Sequence, residues 1–286
     1  MARVVYCGGK FVSEHEARLG LFDRGFLFGD AVYEVTAVIG GKMIDNDLHL
    51  ARLERSLSEL AIPMPLPREE IEAIQLSLIE KNGLQEGTVY LQVSRGEEDR
   101  EFLYSEGLKP TFIAFTQVKN LLNNKGQTQG LAITLVEDPR WERRDIKTVM
   151  LLGQVLAKRD AKAAGFDDVW FVEDGTITEG ASSTAYIVTH DRRIITRPNS
   201  RAILPGCTRA ALLDLCSRHG VVLEERPFTV AEALAAAEAF QTSATSLVTP
   251  VVRIGDVSLN GGVPGPVTRQ LQACYLEHVN MLRAAG

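Results

Sequence analysis

A lysine at position 147 ends the run RRDIK at 143–147 and stands directly before the apolar stretch VMLL at 149–152. An ammonium placed there, partly desolvated and near other cations, would have a lowered pKa and act as a better nucleophile toward a carbonyl, which is the start of Schiff-base chemistry. Lys147 is also one of nine lysines, and a lysine at a helix entrance can simply snorkel. The stretch TEGASS at 178–183 sets one carboxylate, Glu179, among small hydroxyl residues. Such a carboxylate could face the ring nitrogen of a pyridine cofactor, where a protonated ring acts as an electron sink. It also fits a surface turn built on glycine.

Two further segments suit an anion. LPGCTR at 204–209 opens an amphipathic helix, so backbone N–H groups and the Thr208 hydroxyl could converge on a phosphate at its positive end. TSATS at 242–246 adds a hydroxyl-rich turn after a strand, and Arg52 offers a cation from a separate helix. Either turn alone is also an ordinary helix cap. DRGFLFGDAVYEV at 23–35, dense in glycine and aromatics, reads as an active-site wall or as a glycine-bent loop entering a strand with Tyr33 in the core.

The elements that must carry these residues show in the periodicity. Leu48, Ala51, Leu53, Leu57, Leu60 and Ala61 fall near helical spacing, and the proline-rich stretch 63–67 ends that helix. Ile71, Ile74, Leu78 and Ile79 repeat the pattern, and β-branched and aromatic runs at 89–93 and 111–115 predict strands. The polar, glycine-containing stretch 119–130 is the expected linker between a small α+β domain at 1–118 and a large α+β domain at 131–286. In the second half, strands are expected at 131–136, 169–172, 185–189, 193–196, 221–225 and 239–242. Helices are expected at 151–164, 208–219 and 266–283.

Composition narrows the function classes. In 286 residues, 45% hydrophobic and 24% charged, the chain has the balance of a globular protein. A formal net charge of -6 without basic runs argues against nucleic acid or an anionic membrane as partner and favours a small-molecule substrate. The N-terminal apolar run breaks too soon for a signal peptide and no stretch approaches a membrane span, so a cytoplasmic location is expected. Cys7, Cys207, Cys216 and Cys274 form no CxxC pair, and the histidines at 15, 49, 190, 219 and 278 lack zinc spacing, so no metal is expected.

Taken in order, DRGFLFGDAVYEV, HLARL at 49–53, RWERRDIKTVMLLGQVLAK at 140–158, ITEGASS at 177–183, ILPGCTR at 203–209 and QTSATSLVTPV at 241–251 resemble the fold type IV enzymes dependent on pyridoxal 5′-phosphate (PLP). The likeness is greatest to the D-amino-acid aminotransferase branch and spans nearly the whole chain. It implies a two-domain α+β fold and a homodimer. It also implies that Lys147 carries PLP as a Schiff base and shuttles the proton, while Glu179 pairs with the pyridine nitrogen. Arg52, Cys207, Thr208, Ser243, Ala244 and Thr245 would hold the phosphate, with Ala244, where the family commonly has a hydroxyl residue, acting through its N–H. Ser183 would join the cofactor contacts, Leu204 would lie beneath the ring, and Tyr33 would face the substrate.

The substrate loop departs from the family. Where the family carries an Arg-x-His pair, this chain has Arg100 and Phe102, with Arg24 available to help hold a carboxylate. The expected reaction is transfer of the amino group of a D-amino acid such as D-alanine to a 2-oxo acid such as 2-oxoglutarate or pyruvate. The alternatives are a branched-chain L-amino-acid or (R)-amine transaminase, an aminodeoxychorismate lyase of the same fold, or a PLP-binding protein without catalysis.

Overall fold

The computed structural model describes residues 2–218 and 221–285. The chain divides into two compact units, one running up to Asn120 and taking in Ile146–Met150, the other comprising Leu121–Asp145 and Leu151–Ala285.

In the first unit β1 (Val4–Cys7), β2 (Lys10–Ser13), α1 (Arg24–Phe28), β3 (Ala31–Ile39), β4 (Lys42–Met43), α2 (Asn46–Glu59), α3 (Arg68–Lys81), β5 (Glu86–Ser94) and β6 (Thr111–Val118) follow in sequence. The six strands form one antiparallel sheet in the order β2-β1-β6-β5-β3-β4. Its core joins Val32, Leu91, Val93 and Ala114 from the strands to Leu50, Leu53 and Leu57 of α2 and Ile71, Ile74 and Leu78 of α3. On α2, the buried polar residues His49, Arg52 and Ser56 repeat the spacing of the three leucines one position earlier. One helical face therefore carries an apolar stripe and a polar stripe side by side. α3 starts after Pro67 with Glu69 and Glu70 in its first turn and ends on Lys81, a charge order that suits the helix dipole.

The second unit contains α4 (Lys125–Gln129), β7 (Leu131–Glu137), α5 (Leu152–Ala163), β8 (Asp168–Glu173), β9 (Thr176–Gly180), β10 (Thr184–Val188), β11 (Ile194–Thr196), α6 (Cys207–Arg218), β12 (Leu223–Glu225), α7 (Val230–Leu234), β13 (Glu238–Ser243), β14 (Leu247–Ile254), β15 (Val257–Ser258) and α8 (Pro266–Ala285). The sheet order is β12-β11-β10-β13-β14-β7-β8-β9, with β15 beside β14. The pairs β11–β12, β14–β7 and β7–β8 are parallel, and the remaining pairs are antiparallel. β8 is buried along most of its length because its alternate residues enter two different cores. Val169 and Phe171 pack with Ala157 and Ala161 of α5, whereas Trp170 and Val172 join Ile187, Phe228 and Val251. A sheet covered on both faces explains why its strands read as continuous apolar runs.

Within the stretch expected to be the interdomain linker, residues 125–129 form α4. The Asn124 side chain caps it by accepting from the Gln127 N–H, and the buried Gln127 donates its amide to the Ser246 carbonyl. Polar composition here also reflects capping and buried hydrogen bonds within a segment that begins where the two units divide, at Asn120 and Leu121. α7, which periodicity does not announce, begins at a capping box between Thr229 and Glu232 that is legible in the letters TVAE. The end of α6 expected at His219 lies outside the described residues. At the start of α8, the buried Glu238 carboxylate accepts from the N–H groups of Val267 and Thr268 and from the Thr268 hydroxyl, an anchor for the helix's positive end.

Candidate active site

In the first unit, the segment 146–150 runs beside β3. The Tyr33 N–H donates to the Lys147 carbonyl at 3.0 Å and the Val149 N–H to the Ala31 carbonyl at 3.1 Å. Ile146 is buried in the unit's main core, and the Lys147 N–H reaches the Ser56 hydroxyl of α2 at a long 3.5 Å. These ties seat the Lys147 ammonium 4.1 Å from the centroid of the Tyr33 ring, a cation–π contact that orients it. Tyr33 in turn stacks on Tyr90, and Tyr90 on Phe115. Burial pushes the Tyr90 phenol well above its ordinary range, so it stays neutral under the lysine's platform. Arg143 and Arg144, the cations next to Lys147 in sequence, are each taken by carboxylates: Arg143 by Asp145, and Arg144 by Glu173 and Asp138.

Arg52 sits on the polar stripe of α2. Glu34, 1% exposed on β3, grips it bidentately through Nε and Nη2, both at 2.7 Å, and the His49 Nδ1 lies 2.8 Å from the same carboxylate. Burial alone would raise the Glu34 pKa, but Arg52 and His49 bring it down to about 2. The guanidinium plane is thereby fixed before any ligand arrives. Sequence reasoning missed Glu34 and His49. Their signal was present in the i, i+3 spacing of His49 and Arg52, but nothing local pointed to a glutamate on a strand.

The loop following β5 is organised by Arg24. This buried side chain binds Asp30 and Glu98 and donates to the carbonyls of Glu101 and Phe102. Arg24 therefore serves as the clamp of the 98–102 loop. Arg100 is exposed, with its guanidinium 5.2 Å from the Phe28 centroid and 5.7 Å from that of Phe102. Phe102 is 79% exposed and also touches Phe28. Gly29, at φ 70, ends α1 under Met150, whose Cγ would lie 2.6 Å from a Cβ there.

In the second unit, Glu179 of β9 is buried. Its Oε1 accepts from Arg140 Nη1 at 2.6 Å and its Oε2 from the Leu204 N–H at 3.1 Å. Burial pushes its carboxyl above the ordinary range, against the pull of Arg140 and of the Leu204 N–H. Ser183 is buried, and its hydroxyl has no hydrogen-bond partner among the described residues. The two hydroxyl-rich turns meet at one end of the sheet. Thr184, which opens β10, pairs with Thr242 near the end of β13, and Gly206 packs so closely on Thr184 that a Cβ would lie 2.9 Å from its hydroxyl. Ser183 and Thr184, the 205–208 turn with buried Cys207 and Thr208, and Ser243–Ala244–Thr245 are thus neighbours. Ser243 Oγ accepts from the Ser246 N–H and lies 3.3 Å from the Thr245 hydroxyl, which shapes that turn. Arg140 and Asp138, the partners behind Glu179, are the second omission of sequence reasoning.

A buried carboxylate flanked by an orphaned hydroxyl, a helix N-terminus and a serine-rich turn is a set of donors and acceptors suited to a ring nitrogen at one end and a phosphate at the other. The amino-transferase class IV family model matches residues 31–254, and the chain belongs to that family. It is an aminotransferase with the class IV fold. The chain is 36% identical over 268 residues to the D-alanine aminotransferase of Bacillus licheniformis, covering 94% of each. To the D-alanine aminotransferase of Staphylococcus aureus (strain N315) it is 33% identical over 276 residues, covering 96% of this chain and 97% of that one. Among solved structures, the branched-chain amino acid aminotransferase of Escherichia coli superposes with a TM-score of 0.91 at 20% identity, covering 97% of this chain and 94% of that one. That of Thermoproteus uzoniensis gives 0.88 at 22%, with the same coverage. At such identity the structural likeness speaks for the fold alone. Among the described residues no helix is long and apolar enough to cross a membrane.

Proposed function

We propose that the chain moves the amino group of a D-amino acid, D-alanine being the first to test, to a 2-oxo acid such as 2-oxoglutarate or pyruvate, with PLP as its cofactor. The observation that carries this reading is the near full-length likeness to D-alanine aminotransferases, at 36% identity for the Bacillus licheniformis protein. The residue types support it: a lysine, a buried carboxylate, an arginine and two hydroxyl-bearing turns are those that PLP would use. Bound PLP supplies the electron sink that stabilises negative charge at the substrate α-carbon.

The chain's own residues do the rest. Lys147 Nζ anchors the cofactor and, once released from it, takes the proton from the substrate α-carbon. The Tyr33 ring, 4.1 Å from that nitrogen, holds it in place between these two tasks. Glu179 faces the ring nitrogen, and Leu204, whose N–H is fixed on Glu179, supports the ring. Cys207, Thr208, Ser243, Ala244 and Thr245 bind the phosphate with Arg52, whose orientation is already set by Glu34. Ser183 contributes its unpartnered hydroxyl. Arg100 binds the substrate carboxylate and Phe102 lines its side, while Arg24 holds the loop that carries both. We further propose a cytoplasmic homodimer, which gel filtration checks.

Half-reactions decide the matter. D-alanine is expected to bleach the absorption of the bound cofactor, and a 2-oxo acid to restore it. A response to L-leucine or (R)-1-phenylethylamine with none to D-alanine would overturn the donor assignment. Pyruvate released from aminodeoxychorismate without return of an amino group would make the chain a lyase.

A further inference from the structure

Glu179 does not stand alone in its core. Arg140 Nη1 donates to Glu179 Oε1 at 2.6 Å, while its Nε and Nη2 grip Asp138 at 2.9 and 2.7 Å. Its own N–H donates to Asp138 Oδ1 at 3.1 Å. Asp138 is further held by the Thr178 hydroxyl at 2.9 Å and lies 3.5 Å from Arg144 Nε. The Arg140 guanidinium stacks 4.7 Å from the Phe171 centroid. Arg140, Asp138 and Glu179 are all nearly inaccessible, with side-chain exposures of 7%, 1% and 5% in the two ion pairs. The result is a buried row of alternating charge: Asp138 negative, Arg140 positive, Glu179 negative.

We infer that Arg140 is the positioning residue that keeps Glu179 ionised and aimed, so that a proton shared between Glu179 and a ring nitrogen resides on the nitrogen. The inference rests on the assignment of Glu179 as the ring-nitrogen partner. A carboxylate buried without a cation would take the proton itself. Here burial does push the Glu179 carboxyl upward, Asp138 pushes in the same direction, and Arg140 is the largest opposing influence. Arg140 Nη1 also fixes one carboxylate oxygen of Glu179 and the Leu204 N–H fixes the other, while the guanidinium fork on Asp138 holds Nη1 in place, so Glu179 cannot turn away. Asp138 does the complementary task. It offsets the guanidinium's charge, leaving Glu179 a strong enough acceptor for an N–H. Arg140 touches no reacting atom; it acts through Glu179.

Two measurements test this. In apoenzyme, the infrared carboxyl stretch of isotope-labelled Glu179 follows its ionisation. Arg140→Gln should raise its midpoint by about one pH unit or more, and Asp138→Asn should lower it, since the two substitutions remove opposite charges. In enzyme loaded with PLP labelled at the ring nitrogen, the 15N resonance of Arg140→Gln should move from the protonated toward the unprotonated position. kcat should fall about tenfold or more with KM little changed, because the loss is confined to the transition state. Arg140→Lys, which keeps the charge and loses the fork, should recover part of the shift. If Arg140→Gln does not fold, Arg140→Lys and Asp138→Asn still carry the test. An unmoved ring resonance in the folded, loaded variants, or an unmoved Glu179 midpoint in the folded apoenzyme variants, would overturn the inference. Glu179→Gln is the control. If it displaces the ring resonance while the Arg140 and Asp138 variants do not, only the role of Arg140 falls; if it does not, the assignment of Glu179 falls as well.

Discussion

Glu34→Gln isolates the energetic core of the α2–β3 site. The carboxylate is 1% exposed and takes two hydrogen bonds from Arg52 at 2.7 Å and a third contact from His49 at 2.8 Å. Removing one partner of a buried pair leaves an uncompensated charge, so the variant should lose about 3–5 kcal/mol. Linkage gives an independent figure. A folded pKa of about 2 against an ordinary 4.5 is a depressed value. The stabilisation it brings is therefore present above the unfolded pKa and is lost as pH falls through the folded one. The difference corresponds to about 3 kcal/mol near neutrality, and about 2 kcal/mol of it should disappear between roughly pH 7 and roughly pH 3. Both tryptophans, Trp141 and Trp170, lie in the second unit, so their fluorescence would miss the event. Amide hydrogen exchange of α2 and β3 peptides, followed against urea at several pH values, reports it directly. The wild type should show the acid-dependent loss and Glu34→Gln should not. Equal opening free energies near neutrality, within about 0.5 kcal/mol, would refute the reasoning, as would an acid dependence that the substitution leaves intact.

Other expectations are simpler to state. Lys147→Ala should abolish amino transfer while leaving the melting temperature nearly unchanged, because the side chain is half-buried and makes no ion pair among the described residues; residual turnover near wild type would remove Lys147 from the mechanism. Arg100→Ala should raise KM for donor and acceptor by about tenfold or more, the worth of a charge-assisted carboxylate contact, with stability unaltered. Steady-state kinetics with D-alanine and 2-oxoglutarate checks it. Gly265→Ala would place a Cβ 2.0 Å from the Glu238 carboxyl carbon and should displace the anchor of α8. A drop of about 2 kcal/mol or more in thermal or urea unfolding is expected, and a neutral result would show that the α8 start relaxes without cost.

Much of the architecture was legible in the sequence because it is written in local periods. The leucines of α2, the isoleucines of α3 and the alternating residues of β5 each carry their own face, and the structure uses those faces as the core. The doubly buried strand β8 shows a limit: its unbroken apolar run marks burial but not the two cores that its alternate residues enter. The polar stretch 119–130 shows another, since its composition suggests a connecting segment but not the capped helix with a buried glutamine that it contains.

By itself the sequence determined which residues could carry chemistry. These were a lysine before an apolar run, a carboxylate among small residues, two turns able to bind an anion, and an arginine on a helix. Only the tertiary structure decided what each of them meets. It returned 146–150 to β3 and set Lys147 on Tyr33, joined Glu34 to Arg52, placed Arg140 between Asp138 and Glu179, and committed Arg24 to its loop. The physical reason is range. Periodicity and capping act over a few residues and fix which face of an element is polar, whereas a buried charge takes its partner from wherever the fold brings one. Glu179 and Arg140 are 39 positions apart, and Arg24 and Phe102 are 78.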